Sequence, residues 1–263
     1  MTEVRTFFAA LRFFTRIPLP ARLSDWVGHS ADQIARAPCY LPLIGALVGA
    51  VGSLVTETTA MVLPPSIAIV LGMAATLFVT GAFHEDGLAD SADGFGGGWD
   101  KAQVLAIMKD SRIGSYGVIA VVMALLLKFV ALLEFDALLE HDAAPPLGLA
   151  FLLIAAHATS RLAPVVLMNA LDYVRDDEAS KSKPLTGRLG TGSLLFAAIC
   201  ALSPLLLLPA ITIGVALGFA ALTSAACAYY FQRRIGGYTG DCLGAAQQLA
   251  ELAFYLGALC AFS

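Results

Sequence analysis

The sequence predicts an all-α protein: a polytopic transmembrane helical bundle of about seven spans, preceded by an N-terminal interfacial amphipathic helix. Of its 263 residues, 58% are hydrophobic and 14% charged, with a mean hydropathy of +0.78. Soluble domains carry about 25% charged residues. Several apolar runs approach the roughly 20 residues that cross a bilayer as a helix. We therefore predict one integral-membrane domain over residues 1–263, with the lipid bilayer as its surroundings.

The chain begins with a segment typical of a helix that lies on a membrane surface. Over residues 4–17, apolar side chains from Val4 to Phe14 recur every three or four positions. Arg5, Arg12 and Arg16 occupy the other face of the same helix. Such a helix places its apolar side among lipid chains and its cations among headgroups.

Seven apolar segments follow and are interpreted as spans: Pro38–Thr56, Ser66–Phe83, Ser115–Leu133, Leu147–Leu171, Ser193–Leu208, Ile211–Phe231 and Gly244–Phe262. The fifth and sixth are separated only by Pro209 and Ala210. They form either two short helices in a tight hairpin or one broken element. Residues 101–109, between the second and third spans, carry an apolar stripe that suits an interfacial helix.

The basic residues predict the orientation. Fourteen of the sixteen Lys and Arg residues lie before the first span or in every second connection after it, and only Lys128 and Arg161 lie inside spans. The connections 57–65 and 134–146 contain no Lys or Arg. The positive-inside rule then places the N-terminus and the basic loops in the cytoplasm and the C-terminus outside. We expect a protein of the cytoplasmic (inner) membrane whose active face is cytoplasmic.

Several common classes of site lack their motifs in this sequence. There is no GxxxxGK[ST] phosphate loop, no HExxH zinc motif and no nucleic-acid-binding signature. The five cysteines form no CxxC pair and are odd in number, which argues against a disulfide framework or a zinc site. We expect no nucleic-acid partner.

An acidic cluster begins where the second span ends. Six of the twenty acidic residues fall between Glu85 and Asp110. On a helix, Asp86, Asp90 and Asp93 stand at i, i+4 and i+7 and share one face. Carboxylates this dense repel one another unless a cation intervenes, and oxygen ligands suit Mg²⁺. We predict a Mg²⁺ site of these three residues with Glu85; the alternative is a solvated acidic loop that caps a membrane helix.

Two groups of cations could serve phosphate binding. The segment Lys109-Asp110-Ser111-Arg112 offers cations and a hydroxyl beside the acidic cluster. Its alternative interpretation is an ordinary anchor at the membrane edge. Arg161 is expected about 15 Å inside the fourth span, where a guanidinium usually has a partner or lines a polar cavity. It either lines the substrate cavity or pairs with a structural acid.

Two further segments carry weaker signals. His84 precedes the acidic cluster and is a candidate substrate contact, although a hydrogen-bonded helix histidine is the commoner case. The run Gly236 to Asp241 could be a simple turn. Alternatively, Thr239 and Asp241 complete a phosphate or metal pocket.

The motifs in these segments closely resemble one known family. They are His84–Gly94, Ile107–Gly114 and Gly236–Ala245, together with Phe14–Pro18 and Ser160-Arg161. They resemble the adenosylcobinamide-GDP ribazoletransferases, also called cobalamin synthases, and the resemblance runs from the N-terminus to the last span. Glu85 occupies a position that the family pattern leaves free.

The resemblance implies an enzyme of late cobalamin biosynthesis with Mg²⁺ as its cofactor. The ribose hydroxyl of α-ribazole, or of its 5′-phosphate, would attack the phosphate next to the cobinamide in adenosylcobinamide-GDP. GMP would leave, and adenosylcobalamin or its 5′-phosphate would form. In this chemistry the acidic cluster would hold the metal, and one aspartate, with Asp93 as the candidate, would take the hydroxyl proton. Lys109, Arg112 and Arg161 would bind phosphates, with Asp241 as a further ligand or ribose contact.

Two other classes stay open at this stage. A CDP-alcohol phosphotransferase would use similar aspartates at a membrane edge, but its Asp-Gly pattern contains an Ala-Arg pair that is missing here. An ion-coupled transporter would need charges near the bilayer midplane, whereas the charges here gather at one face. The sequence leaves a homo-oligomer, the lower-base specificity and the number of metal ions undecided.

Overall fold

The computed structural model describes residues 2–28, 30–141, 148–175 and 187–261. These ranges are almost entirely helical, and within them the only β-type pairing is an isolated bridge between Tyr173 and Tyr238. The predicted all-α class is therefore confirmed.

Thirteen α-helices occur in the described ranges, with short 3₁₀ turns at Ala37–Tyr40 and Ser203–Leu207. In chain order the helices are α1 Thr2–Phe14, α2 Ala21–Val27, α3 Ala31–Arg36, α4 Leu41–Ala60, α5 Pro65–Thr80, α6 Phe83–Gly97, α7 Lys101–Lys109, α8 Ser115–His141, α9 Gly148–Ser160, α10 Leu162–Ala170, α11 Thr191–Leu202, α12 Ala210–Ile235 and α13 Gly240–Cys260.

Four helical stretches in the described part of the chain are long and apolar enough to cross a membrane: Ala31–Ala60, Ser115–Leu139, Gly148–Ala170 and Ala210–Ile235. A fifth exists if α5 and α6 count as one bent span. The prediction of about seven spans is not confirmed. The apolar helix α11 is short, and α13 carries Gln247, Gln248 and Glu251 along its length.

The bend between α5 and α6 separates the acidic cluster from the apolar spans. α5 ends at Gly81, whose φ of +65° is a left-handed conformation that favours glycine, and α6 then leaves at 86° to α5. The predicted span Ser66–Phe83 therefore stops at Thr80. The aspartates lie on a separate helix outside the four apolar stretches.

Both predicted amphipathic helices form. α1 covers the predicted segment up to Phe14, three residues short of its predicted end at residue 17. Ala10 and Phe14 are buried, and Arg12 donates a 2.7 Å hydrogen bond to the Gly28 carbonyl. α7 has the predicted bounds and buries Val104 and Met108. The interfacial position of these helices stays a prediction.

α13 is the central helix of the bundle. It packs against α6, α8, α9, α10 and α12. Its backbone lies close to α6, where a β-carbon at Gly87 would lie 2.9 Å from the Asp241 carbonyl oxygen and one at Gly244 would lie 3.0 Å from the His84 carbonyl oxygen. Glycine at both positions lets the two backbones touch, which brings the acidic face of α6 against the start of α13.

Candidate active site

Three carboxylates meet where α6 touches the first turn of α13. Asp86 and Asp90 lie one turn apart on α6, and Asp241 faces them from α13. Burial, followed by the charges of Asp241 and Asp86, raises the pKa of Asp90 to about 7. Burial also raises the pKa of Asp241, against the lowering effect of Arg175. The cluster therefore holds more negative charge than its surroundings neutralise.

Arg175 is a cation in direct contact with this cluster, and the sequence did not predict its role. Its Nη2 donates a 2.7 Å hydrogen bond to Asp241 Oδ2, and its buried Nε has no hydrogen-bond partner among the described residues. The backbone holds it there, because Val174 N–H donates to the Tyr238 carbonyl and Tyr238 N–H to the Asp172 carbonyl. Its only sequence signal was membership of the charged loop 172–191, most of which lies outside the described residues.

Asp93 does not face the cluster as an open ligand. Its two carboxylate oxygens accept hydrogen bonds from the N–H groups of Gly114 at 2.6 Å and Gly117 at 2.9 Å, and only 8% of the residue is exposed. These amides belong to the start of α8, where backbone donors lack partners within the helix. The structure thus gives Asp93 a capping role, and its function as a metal ligand or proton acceptor stays a prediction.

Glu85 also turns away from the predicted metal set. Its Oε1 accepts a 2.9 Å hydrogen bond from Gln248 Nε2 on α13, and burial raises the pKa of its carboxyl. In the described structure Glu85 belongs to a buried polar network, and its role as a metal ligand stays a prediction.

The segment that follows α7 lies beside α6, because Gly114 is bound to Asp93. Lys109 and Ser111 are exposed on it. Arg112 Nη2 donates to Asp110 Oδ2 at 2.6 Å, and this hydrogen bond lowers the pKa of Asp110 to about 2. The predicted phosphate cations are therefore at the surface next to the acidic helix, with Arg112 already paired to its neighbour.

Thr239 is buried at the start of α13 instead of facing a ligand. Its hydroxyl accepts a 3.3 Å hydrogen bond from Cys242 N–H and contacts Met108 Sδ at 3.8 Å. It is a helix N-cap, which is a common role for threonine. The predicted substrate contact at Thr239 is corrected accordingly.

Arg161 lies at a break between α9 and α10, inside the bundle. Its Nη1 donates to the His157 carbonyl at 2.8 Å and lies 3.0 Å from His157 Nδ1 and 3.8 Å from Glu251 Oε2. In the described residues its charged partner is therefore the acid Glu251, in line with the alternative of pairing with a structural acid, and its contact with phosphate stays a prediction.

Glu251 is the centre of a buried network that sequence reasoning missed. It is 1% exposed and pairs with Lys128 of α8, and it accepts a 2.7 Å hydrogen bond from Gln247 Nε2. Gln248 joins the network to Glu85 on the acidic helix. The available signal was the i, i+4 spacing of Gln247 and Glu251 within an apolar segment.

Comparison with known proteins identifies the family. The family model described as cobalamin-5-phosphate synthase matches residues 6–259. This chain belongs to that family. It is 47% identical over 261 residues to an adenosylcobinamide-GDP ribazoletransferase of Leptothrix cholodnii, covering 97% of this chain and 95% of the relative. The corresponding protein of Shewanella woodyi is also 47% identical over 257 residues, with the same coverage. No solved structure matches the chain.

The match confirms the resemblance seen in the sequence, and the fold explains its three main motifs. The motif His84–Gly94 lies within α6. The motif Ile107–Gly114 runs from the end of α7 to the start of α8, and Gly236–Ala245 leads into α13 and includes its first turn. The first and third meet at the acidic cluster, and the second packs beside them through Gly114 at Asp93 and Met108 at Thr239. The family also sets aside the two alternatives, a CDP-alcohol phosphotransferase and an ion-coupled transporter.

The residues of the cluster fit a hard divalent cation. Among the described residues, no group of three or more His, Cys, Asp or Glu side chains is placed so that it could hold a metal ion. Mg²⁺ usually takes one or two protein carboxylates and completes its shell with water and substrate phosphates. One or two of Asp86, Asp90 and Asp241 would suffice for such a shell. Burial, and then the charges of Asp241 and Asp86, raise the pKa of Asp90, and a bound cation would oppose both effects.

Proposed function

We propose that this membrane enzyme transfers the phosphocobinamide group of adenosylcobinamide-GDP to α-ribazole or α-ribazole 5′-phosphate in cobalamin biosynthesis. The products are GMP and adenosylcobalamin or its 5′-phosphate. The observation that carries the proposal is the family match over residues 6–259, supported by relatives whose names state this transfer.

The reaction is a substitution at phosphorus. The ribose hydroxyl oxygen forms a bond to the phosphorus next to the cobinamide, the bond from that phosphorus to the bridging oxygen breaks, and GMP leaves with that oxygen. A carboxylate of the cluster accepts the hydroxyl proton. Asp86, Asp90 and Asp241 would hold Mg²⁺, which when bound neutralises the pyrophosphate charge.

The cations around the cluster bind the phosphates in this proposal. Arg175 is the first candidate, because its unpartnered Nε and its place beside Asp241 leave donors directed at the cluster. Lys109 and Arg112 lie on the exposed segment beside α6, where Asp110 and Ser111 can complete the nucleotide contacts. Arg161 contributes through Glu251 and the buried network rather than by touching phosphate.

The proposal places the site on the cytoplasmic side of the inner membrane. The support is the alternation of basic connections, which puts the segment after α6 and the segment before α13 on the same side as the N-terminus. That side also supplies nucleotides, which the donor substrate requires.

The test uses the full chain in lipid nanodiscs with adenosylcobinamide-GDP, α-ribazole and Mg²⁺. We expect GMP and a cobalamin product in equal amounts by chromatography and mass spectrometry, and none when α-ribazole is omitted or Mg²⁺ is chelated. Folded protein that releases no GMP with every component present would contradict the proposal. GMP release without α-ribazole would point to simple hydrolysis.

A further inference from the structure

A cavity beside the acidic cluster takes no part in the roles described so far. The volume open to the centres of water-sized groups is about 40 Å³, which exceeds the ~15 Å³ that one buried water needs. Its walls come from α1, α4, α6, α10 and the start of α13. The lining includes aromatic rings and the backbone that flanks Asp241: Phe14, Phe83, His84, Tyr238, Gly240 and Gly244.

Two residues that line this cavity each carry a buried polar atom without a partner. His84 is 3% exposed and Tyr238 is 2% exposed. The Nδ1 atom of His84 and the hydroxyl of Tyr238 are both buried, and neither has a hydrogen-bond partner among the described residues. Buried polar groups are nearly always hydrogen-bonded in folded proteins. Two such groups on one cavity therefore indicate a ligand that carries few polar atoms on a mainly apolar body.

The position of the cavity ties it to the reaction. Gly240 and Gly244 belong to the turn of α13 that presents Asp241, and Gly244 packs directly against the His84 backbone. His84 itself is only two residues from Asp86. A ligand in the cavity would thus hold an attached group at the carboxylate cluster.

We propose that this cavity receives the heteroaromatic base of the ribazole acceptor and so directs its ribose hydroxyl to the acidic cluster. This inference rests on the proposed function and assigns its acceptor subsite. The base of ribazole is a flat benzimidazole, and once joined to ribose it has one free ring nitrogen, which accepts a hydrogen bond. His84 or Tyr238 can donate that bond, and the neighbouring rings of Phe14 and Phe83 suit an aromatic body.

The other parts of the two substrates fit the cavity less well. Guanine has several donors and acceptors along its edges, whereas the described lining offers two unpartnered side-chain atoms. The corrin ring is far wider than the cavity and carries amide side chains over its whole rim. Of the groups that the proposed reaction brings together, the flat and mainly apolar benzimidazole suits this lining best.

The kinetic test compares the two substrates in four variants. Tyr238→Phe and His84→Leu each remove one unpartnered polar atom, while His84→Asn keeps a polar atom near the Nδ1 position. We expect the KM for α-ribazole to rise about tenfold in at least one of the two deletions, equivalent to about 1.4 kcal/mol, with the KM for adenosylcobinamide-GDP unchanged. His84→Asn should recover part of any loss caused by His84→Leu. Thr212→Val is the matched control, since the Thr212 hydroxyl is also buried and unpartnered but lies outside this cavity.

A binding test separates this inference from the proposed reaction. The probes are 1-methylbenzimidazole, which keeps the accepting nitrogen, and 1-methylindole, which lacks it. We expect the wild-type protein in nanodiscs to bind the first more tightly by equilibrium dialysis, and the preference to vanish in the double variant His84→Leu/Tyr238→Phe. This outcome supports the subsite even if no GMP is released. Equal binding of both probes by the wild type, or variants that raise only the KM of the donor substrate, would overturn it.

Discussion

Asp90 and Asp93 lie three residues apart on α6, but their different surroundings suit them to different roles. Asp90 is half-buried beside Asp86 and Asp241, and its burial, followed by those two charges, raises its pKa. Both oxygens of Asp93 accept N–H groups at the start of α8. A carboxylate at a helix N-terminus is stabilised by the free amides and the helix dipole. One residue should therefore control catalysis and the other stability.

Asparagine at position 90 and alanine at position 93 should separate these two roles. We expect Asp90→Asn to lower GMP release about 100-fold, near 2.7 kcal/mol of activation free energy, with thermal stability unchanged or increased because a repulsive charge is gone. Asp93→Ala should lower the free energy of unfolding by about 0.5–2 kcal/mol through the lost cap. Thermal unfolding in detergent and a GMP assay measure both quantities. The exposed Asp25→Asn serves as control, and a stable but inactive Asp93→Ala with an active Asp90→Asn would refute the division.

At the scale of helices, Glu251 joins α13 to the two helices beside it. Its carboxylate pairs with Lys128 on α8 and lies near His157 and Arg161 at the α9–α10 break. Charges inside an apolar bundle are costly unless paired. The network therefore fixes how α13 sits against its neighbours and, through Gln248 and Glu85, against the acidic helix.

Removing one charge of this network should lower the stability of the protein more than removing both charges of the ion pair. Glu251→Gln leaves Lys128 unpaired, and such a loss typically costs about 3–5 kcal/mol. We expect the double variant Lys128→Met/Glu251→Gln to unfold at a higher temperature than Glu251→Gln alone. The comparison pair is Thr212→Val with Glu251→Gln, whose effects should add because the two sites share no contact in the structure. Simple additivity for Lys128 and Glu251 as well would show that their ion pair contributes nothing.

The contact between α6 and α13 is set by Gly87 and Gly244. A side chain at Gly87 would meet the Asp241 backbone, so Gly87→Val should push the helices apart and separate Asp86 and Asp90 from Asp241. We expect at least a tenfold loss of GMP release. Gly218→Val on α12 is the control, because no atom lies within 4 Å of a β-carbon at that position. If both variants keep full activity, the close approach is not needed for the site.

For the whole molecule, composition and periodicity predict the all-α class, the amphipathic helices α1 and α7, and the acidic helix. They do not give the number of spans, because α13 combines apolar residues with a buried polar network that lowers its hydropathy. They also cannot show long-range partners. Glu85 meets Gln248 across 163 positions and Arg175 meets Asp241 across 66. The face shared by the aspartates was predictable, whereas the amides that occupy Asp93 depend on how the chain folds back after α7.

The orientation of the whole bundle decides on which side the reaction occurs. Met61 lies in the connection without basic residues between α4 and α5, and Ala102 lies on α7 beyond the acidic helix; both are exposed. If α5 crosses the membrane and the basic connections are cytoplasmic, these positions face opposite sides. In a background without the five native cysteines, which must still release GMP, Met61→Cys should react with an impermeant maleimide on spheroplasts. Ala102→Cys should react only after lysis, and both should react in detergent. The reverse order would put the acidic helix on the side without nucleotides, which the proposed reaction does not allow.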